Sequence, residues 1–187
     1  MREFVDVRRE LEDEFREVSE LFREGKVDKV KDRLRSLIER DPYYLEPYVL
    51  LHDIYEMEGR VKDAEEVLEE AYRRAMELIS EEGRLPDRLE WKHSTNRHII
   101  KALINMGAFY WEVGELEEAL KILKEVYRMN PKDEPGVRFY ILAILEGMSF
   151  DEFEQVFSRD GEYDYEDLNH WFEKHAPEHP DFFTPSL

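Results

Sequence analysis

The sequence predicts an all-α fold, an α–α superhelix in which antiparallel pairs of helices stack on one another. Three glycines, Gly25, Gly59 and Gly114, each follow a run of helix-forming residues, and the first two lie 34 residues apart. Each glycine is followed five residues later by a small or β-branched residue that can pack between two helices. These residues are Val30, Ala64 and Ala119. A period of this length is typical of repeat proteins in which each unit is one helix pair.

The third unit gives the clearest repeat, from Ile100 to Asp133 (IKALINMGAFYWEVGELEEALKILKEVYRMNPKD). Gly107 allows its two helices to approach closely, Ala119 is placed opposite Gly107, and Pro131 stops the second helix. This pattern resembles the tetratricopeptide repeat (TPR) family, over roughly residues 11 to 157. The resemblance implies a right-handed superhelix whose first helices line a concave groove for a peptide or a helix of another protein.

We predict a single TPR-like domain over residues 1–187, with helix pairs at about residues 11–44, 45–78, 100–133 and 134–158. Apolar residues recur at three- and four-residue steps from Phe4, which predicts that the first helix extends back almost to the N-terminus. The second pair is expected to continue as helix to about Glu82. The position 34 residues after Gly114 is Met148, so the turn of a degenerate fourth repeat is expected there.

An insertion at residues 79–99 separates the second pair from the third. Its loop, residues 83–95, is long, and Leu89 and Trp91 are expected to anchor it. After the fourth pair, an amphipathic helix over residues 163–176 is predicted to cap the stack. Residues 177–187 are predicted to form an extended tail. Its adjacent Phe182 and Phe183 cannot both be buried on one regular face, so we expect them to insert into a neighbouring molecule or into the groove.

The composition excludes several functional classes. The formal net charge of −19 would repel nucleic acid and anionic membranes. The absence of cysteine excludes disulfides, zinc–thiolate sites and thiol catalysis. The N-terminal residues alternate charged and apolar side chains rather than forming a secretory signal, so a cytoplasmic location is expected. Charged residues make up 39% of the chain and amide side chains are few, as is typical of thermophile proteins.

Position by position, the resemblance to the TPR family assigns a mixed set of acidic, aromatic and aliphatic side chains to the concave groove. The candidate partner-binding residues are Phe15, Ser19, Phe22, Val49, Asp53, Glu56, Lys101, Ile104, Ala108, Trp111, Glu112, Arg138 and Leu142. Trp111 is the predicted anchor for a partner. Family members that clamp a C-terminal carboxylate use several lysine, arginine and asparagine residues, of which only Lys101 and Asn105 fit here. The acidic set therefore favours a basic, amphipathic partner.

The histidines and carboxylates do not predict catalysis or metal binding. A five-residue spacing places His170 and His175 about 140° apart on a helix, and Pro177 interrupts the shorter spacing between His175 and His179. Glycine-rich phosphate loops and nucleophile-elbow sequences are absent from the sequence. No catalytic residue, metal site or cofactor is therefore expected.

These observations together predict a non-enzymatic scaffold or adaptor that binds an unidentified protein or peptide, with no nucleic-acid or membrane partner. One alternative is a homo-oligomeric structural module, for example a homodimer, assembled through the aromatic-rich C-terminal segment. A more distant alternative is an enzyme whose carboxylate or histidine residues are grafted onto the same fold.

Overall fold

The computed structural model describes residues 1–183, in which nine α-helices and one two-stranded antiparallel sheet form the fold. The helices are α1 (Glu12–Arg23), α2 (Val27–Arg40), α3 (Glu46–Met57), α4 (Val61–Ile79), α5 (Arg97–Glu112), α6 (Leu116–Met129), α7 (Val137–Leu145), α8 (Phe150–Phe157) and α9 (Tyr165–His175). The strands are β1 (Ser158–Arg159) and β2 (Glu162–Tyr163). The predicted all-α fold class is confirmed.

Helices that follow one another in the chain pack together from α1 to α7, so the chain forms a stack of helix pairs. The first helices of successive pairs also meet, since α3 contacts α5 and α5 contacts α7. Helix α8 departs from this order because it packs on α5 and on α9. Helix α9 packs on α7 and α8 at the end of the stack. In residues 1–183, no helix is both long enough and apolar enough to cross a lipid bilayer.

Each helix pair turns through the same hydrogen-bonded motif at a glycine. Gly25, Gly59 and Gly114 have φ angles of 80°, 70° and 82°, a left-handed conformation that glycine adopts without steric cost. The glycine N–H and the following N–H donate to carbonyls three and five residues earlier, which is a Schellman motif. The fourth turn uses Gly147, with a φ of 78°, so the prediction of Met148 was wrong by one residue. The Met148 N–H instead donates the second hydrogen bond of the motif, to the Ala143 carbonyl five residues earlier.

Residues 1–11 do not form the predicted extension of the first helix, because α1 begins at Glu12. The segment runs beside the loop of the insertion, where Glu3 and Arg88 form a parallel bridge. The Phe4 N–H donates to the Arg88 carbonyl at 2.9 Å, and the Asn96 side-chain amide donates to the Phe4 carbonyl at 2.9 Å. These hydrogen bonds pair backbone groups of an extended segment with other parts of the chain. The segment would lose them if it became helical.

A buried hydrogen-bond network, which we call the clasp, holds this N-terminal segment on the helix stack. The Asp6 carboxylate accepts from His98 Nε2 at 2.7 Å and from Arg8 Nη1 at 2.8 Å. The Asp6 N–H donates to Asn96 Oδ1 at 2.8 Å, and His98 Nδ1 accepts the Leu45 N–H at 3.0 Å. These five residues join the segment before α1, the residue before α3 and the first turn of α5.

The insertion is anchored mainly by Leu89, whose side chain is completely buried. Trp91 is only partly buried, and the Arg97 guanidinium lies 5.2 Å from the centre of its ring. Helix α4 ends at Ile79 rather than near Glu82. The chain turns sharply there, since Glu82 has a positive φ of 49° that is incompatible with a continuing right-handed helix.

The C-terminal aromatic pair packs within its own chain. The Phe183 ring lies 4.9 Å from that of Phe172 and 6.2 Å from that of Tyr127, while the Lys124 Nζ lies 4.6 Å from the centre of the Phe182 ring. The expectation that both rings insert into a neighbouring molecule or the groove was wrong. The chain after α9 is not a regular helix, so two adjacent side chains can both reach the core. The rest of the predicted tail, residues 184–187, lies outside the described residues.

The crossing of α5 and α6 depends on the absence of a side chain at Gly107. A Cβ atom there would lie 2.8 Å from Leu123 Cδ2 and 2.9 Å from Leu123 Cγ, so the closest neighbour is Leu123 and not the predicted Ala119. We expect Gly107→Leu to lower the free energy of unfolding by about 1–3 kcal/mol through overpacking, as measured by urea denaturation. Glu118→Leu at an exposed position of α6 is the control and should have little effect. Equal losses in the two variants would contradict this account.

Candidate functional site

A groove lies where the first helices of the second, third and fourth pairs meet. Its volume is about 160 Å³. The lining residues are His52, Asp53, Glu56, Ile104, Asn105, Ala108, Phe109, Glu112, Tyr140 and Phe150. We call this surface the acidic groove. It brings together five of the predicted partner-binding residues, namely Asp53, Glu56, Ile104, Ala108 and Glu112.

Three carboxylates give the acidic groove its charge. Asp53 and Glu56 lie about one turn apart on α3, and Glu112 is the last residue of α5. Burial raises the pKa of Asp53, and the nearby Glu56 raises it further, although His52 and Lys101 act in the opposite direction. Burial also raises the pKa of Glu112, again with a contribution from Glu56. Asp53 and Glu112 are nevertheless exposed to a partner, and a bound cation would stabilise their ionised forms.

None of these three carboxylates forms an ion pair with another side chain in residues 1–183. Some other acids of the helix stack are paired with a basic side chain, as in the pairs Glu14–Arg40 at 2.6 Å and Glu58–Lys31 at 2.7 Å. Lys101, which the sequence placed in the groove, pairs with Glu46 at 3.1 Å instead of lining it. The acidic groove is therefore a local excess of negative charge that no ion pair within residues 1–183 neutralises.

The apolar wall of the groove contains residues that sequence reasoning missed. The Tyr140 and Phe150 rings pack edge to face with their centres 6.3 Å apart, and Phe109 lies beside them on the lining. His52 Nδ1 donates to the Ala64 carbonyl at 3.1 Å, which fixes its ring at the groove. Phe150 reaches the groove because α8 packs on α5. The repeat pattern in the sequence does not predict this contact. The only signal of this wall in the sequence is His52, a bulky polar residue within the first helix of the second pair.

Two predicted groove residues are part of the hydrophobic core. Trp111 is 2% exposed, and its Nε1–H donates to the Met148 carbonyl at 2.9 Å. The rings of Phe150 and Phe153 lie 5.2 Å and 5.5 Å from the Trp111 ring. Leu142 is completely buried. The prediction was wrong for both residues, because α8 packs over Trp111 on α5 and Leu142 is buried within α7, so neither is available to a partner.

Six other predicted residues do not line the acidic groove. They are Phe15, Ser19, Phe22, Val49, Lys101 and Arg138. Phe15 packs edge to face on Tyr44, with ring centres 6.0 Å apart, in the core of the first two helix pairs. Arg138 pairs with the buried Asp133 at 2.8 Å and so stabilises the start of α7. The groove that the structure shows is thus shorter than the predicted one and excludes the first pair.

Within residues 1–183, two groups of side chains have the composition and spacing needed to ligate a metal ion, and neither overlaps the acidic groove. They are Glu3 with Glu90 and His93, and Glu146 with Glu178 and His179.

The chemistry of the acidic groove suits a ligand that is both cationic and apolar. Carboxylates accept charge-assisted hydrogen bonds from ammonium and guanidinium groups. Aromatic and aliphatic walls pack against the methylene stems of lysine and arginine. No protein-family model, curated protein or solved structure matches this chain.

Proposed function

We propose that this chain is a non-enzymatic scaffold of the TPR type, which binds a basic, amphipathic peptide or helix of another protein in the acidic groove. The observation that carries the proposal is the set of three carboxylates, Asp53, Glu56 and Glu112, which have no ion-pair partner within residues 1–183 and lie beside an apolar wall. The resemblance of the sequence to the TPR family supports the same role.

The mode of binding follows from the two halves of the groove. Lysine or arginine side chains of the partner would neutralise the carboxylates whose pKa is raised, so binding would remove an unfavourable term from the free protein. Apolar side chains on the other face of the partner would pack against Ile104, Phe109 and Phe150. An amphipathic helix laid in a groove combines both contacts.

We further propose a cytoplasmic setting and a thermophilic source. The cysteine-free sequence supports the first, and the many surface ion pairs support the second. The homo-oligomeric alternative loses its main support, because Phe182 and Phe183 pack against residues of their own chain.

The groove can be tested with a labelled amphipathic peptide made of lysine and leucine and with its glutamate–leucine counterpart. We expect the lysine peptide to bind, with an affinity that falls as salt rises, and the glutamate peptide not to bind. The double variant Glu56→Lys with Glu112→Lys should weaken lysine-peptide binding by at least about tenfold in fluorescence anisotropy.

The matched control is the double variant Glu39→Lys with Glu69→Lys, which makes the same change in net charge at exposed positions of α2 and α4. It should retain most of the affinity. Equal weakening in both double variants would mean that only the overall charge attracts the peptide, and the proposal of a groove would then be wrong.

A further inference from the structure

Four potential metal ligands from two parts of the chain converge at the C-terminal end of the helix stack. Glu146 directly follows α7, and His175 is the last residue of α9. Ala176–Glu178 then form a 3-10 turn, which carries Glu178 and leads to His179. Pro177 was expected to separate the two histidines. In the tighter 3-10 turn, with three residues per turn, the chain instead brings both of them to Glu146.

The distances between donor atoms match those of a coordination shell. His179 Nε2 lies 3.2 Å from Glu146 Oε1, His175 Nδ1 lies 3.6 Å from the same oxygen, and His175 Nδ1 lies 3.9 Å from Glu178 Oε2. A tetrahedral zinc ion with bonds of about 2.0–2.2 Å holds its ligand atoms about 3.3–3.6 Å apart. The ligand atoms of Glu146, Glu178 and His179 lie within 4.8 Å of one another, and His175 would have to rotate to bind the same ion.

An unsatisfied polar atom points to a ligand at this place. His175 Nδ1 is buried from solvent and has no hydrogen-bond partner among the described residues. Buried polar atoms almost always have a partner, and 3.6 Å to Glu146 is too long for a hydrogen bond. A metal ion would give His175 Nδ1 a partner, whereas Glu146 Oε1 already lies 3.2 Å from His179 Nε2.

The surrounding charge also favours a cation. Glu146 lies at the C-terminus of α7, where the helix dipole is negative and a carboxylate is unfavourable. The C-terminus of α9 lies beside it, with His175. No lysine or arginine in residues 1–183 pairs with Glu146 or Glu178. The other ligand-like group differs, because Lys92 already neutralises Glu90 there.

We propose that Glu146, His175, Glu178 and His179 form a binding site for a divalent transition-metal ion of the zinc class. Two imidazoles with two carboxylates are a donor set that zinc accepts, whereas magnesium and calcium prefer oxygen ligands alone. The ion would join the end of α7 to the end of α9 and so fix the C-terminal cap on the stack. This site is separate from the acidic groove, and the proposal does not depend on the proposed function.

The test titrates zinc chloride into the full chain, with magnesium chloride as the comparison ion. We expect one zinc ion per chain by calorimetry, a rise in the midpoint of thermal unfolding, and no comparable effect of magnesium. His179→Ala and the isosteric Glu146→Gln should each weaken zinc binding by at least about tenfold, since loss of even an outer-shell group has an effect of that size. Far-ultraviolet circular dichroism checks that each variant is folded.

The matched control is His170→Ala, an exposed histidine on the same helix, which should bind zinc like the wild type. The wild-type protein gives a second measurement that needs no variant, since zinc should shift the imidazole NMR signals of His175 and His179 and leave that of His170 unchanged. Equal binding of magnesium, zinc affinity unchanged in both variants, or uniform shifts of all histidine signals would overturn the proposal.

Discussion

Replacing Trp111 with alanine is expected to lower the free energy of unfolding by about 3–5 kcal/mol, the usual range for a buried tryptophan. The indole is 2% exposed and lies between the rings of Tyr140, Phe150 and Phe153, whose centres are 5.2–5.5 Å away. Its loss would leave a cavity between α5 and α8. It would also leave the Met148 carbonyl without the indole N–H that donates to it at 2.9 Å.

Urea denaturation of the variant measures this loss, and Trp91→Ala is the matched control. Trp91 is only partly buried in the loop of the insertion, so its removal should have a clearly smaller effect. A Trp111→Ala protein with unchanged stability and weakened peptide binding would restore Trp111 as a groove anchor and contradict the packing described above.

Removing the carboxylate of the clasp, by Asp6→Ala, should lower the free energy of unfolding by about 3–5 kcal/mol. The Asp6 side chain is 1% exposed, and its loss leaves the buried His98 Nε2–H without its acceptor, while Arg8 keeps only its ion pair with Asp41 at 3.3 Å. Asp87→Ala is the control in the neighbouring loop. Asp87 also accepts a hydrogen bond, from the Arg2 N–H, but it is exposed. Its replacement should therefore lower the free energy of unfolding much less.

The pH dependence of this loss has a defined sign. Burial alone would raise the pKa of Asp6, but the hydrogen bonds and charges of His98 and Arg8 outweigh burial and lower it. A carboxyl whose pKa is lowered by folding stabilises the protein above its unfolded-state pKa of about 3.9. That stabilisation is lost as the pH falls through the lower folded-state value. The stability difference between wild type and Asp6→Ala should therefore shrink in acid, and a difference that stays constant below pH 4 would contradict this role.

The helix pairs could be predicted from the sequence because their determinants are local. A glycine at each turn and apolar residues at helical spacing are properties of a few adjacent residues, and they located α2, α4 and α6 well. The N-terminal segment could not be predicted in this way. Its apolar residues follow a helical period, yet its backbone pairs with Arg88, and periodicity contains no information about a partner so distant in the chain.

The groove was predicted in part for a related reason. Helical position correctly placed Asp53, Glu56 and Glu112 on one surface, since α3 and α5 keep the expected register. Position on a helix does not reveal what covers that surface. Helix α8 packs on α5, and Trp111 is buried there by a contact between helices that are not neighbours in the chain. Tyr140 and Phe150 line the groove for the same reason, because the position of α8 brings the Phe150 ring beside the Tyr140 ring.

The clasp has a consequence for how the molecule folds. A linear array of helix pairs is held by contacts between neighbours, so its terminal pair can fray independently. The bond between Asp6 and His98 joins residues 92 positions apart, and its formation must wait for the closure of a long loop. Once formed, this bond couples the local unfolding of the first helix pair to the local unfolding of the third. The first three pairs should therefore unfold as one cooperative unit, through a contact that a purely nearest-neighbour description of the array would omit.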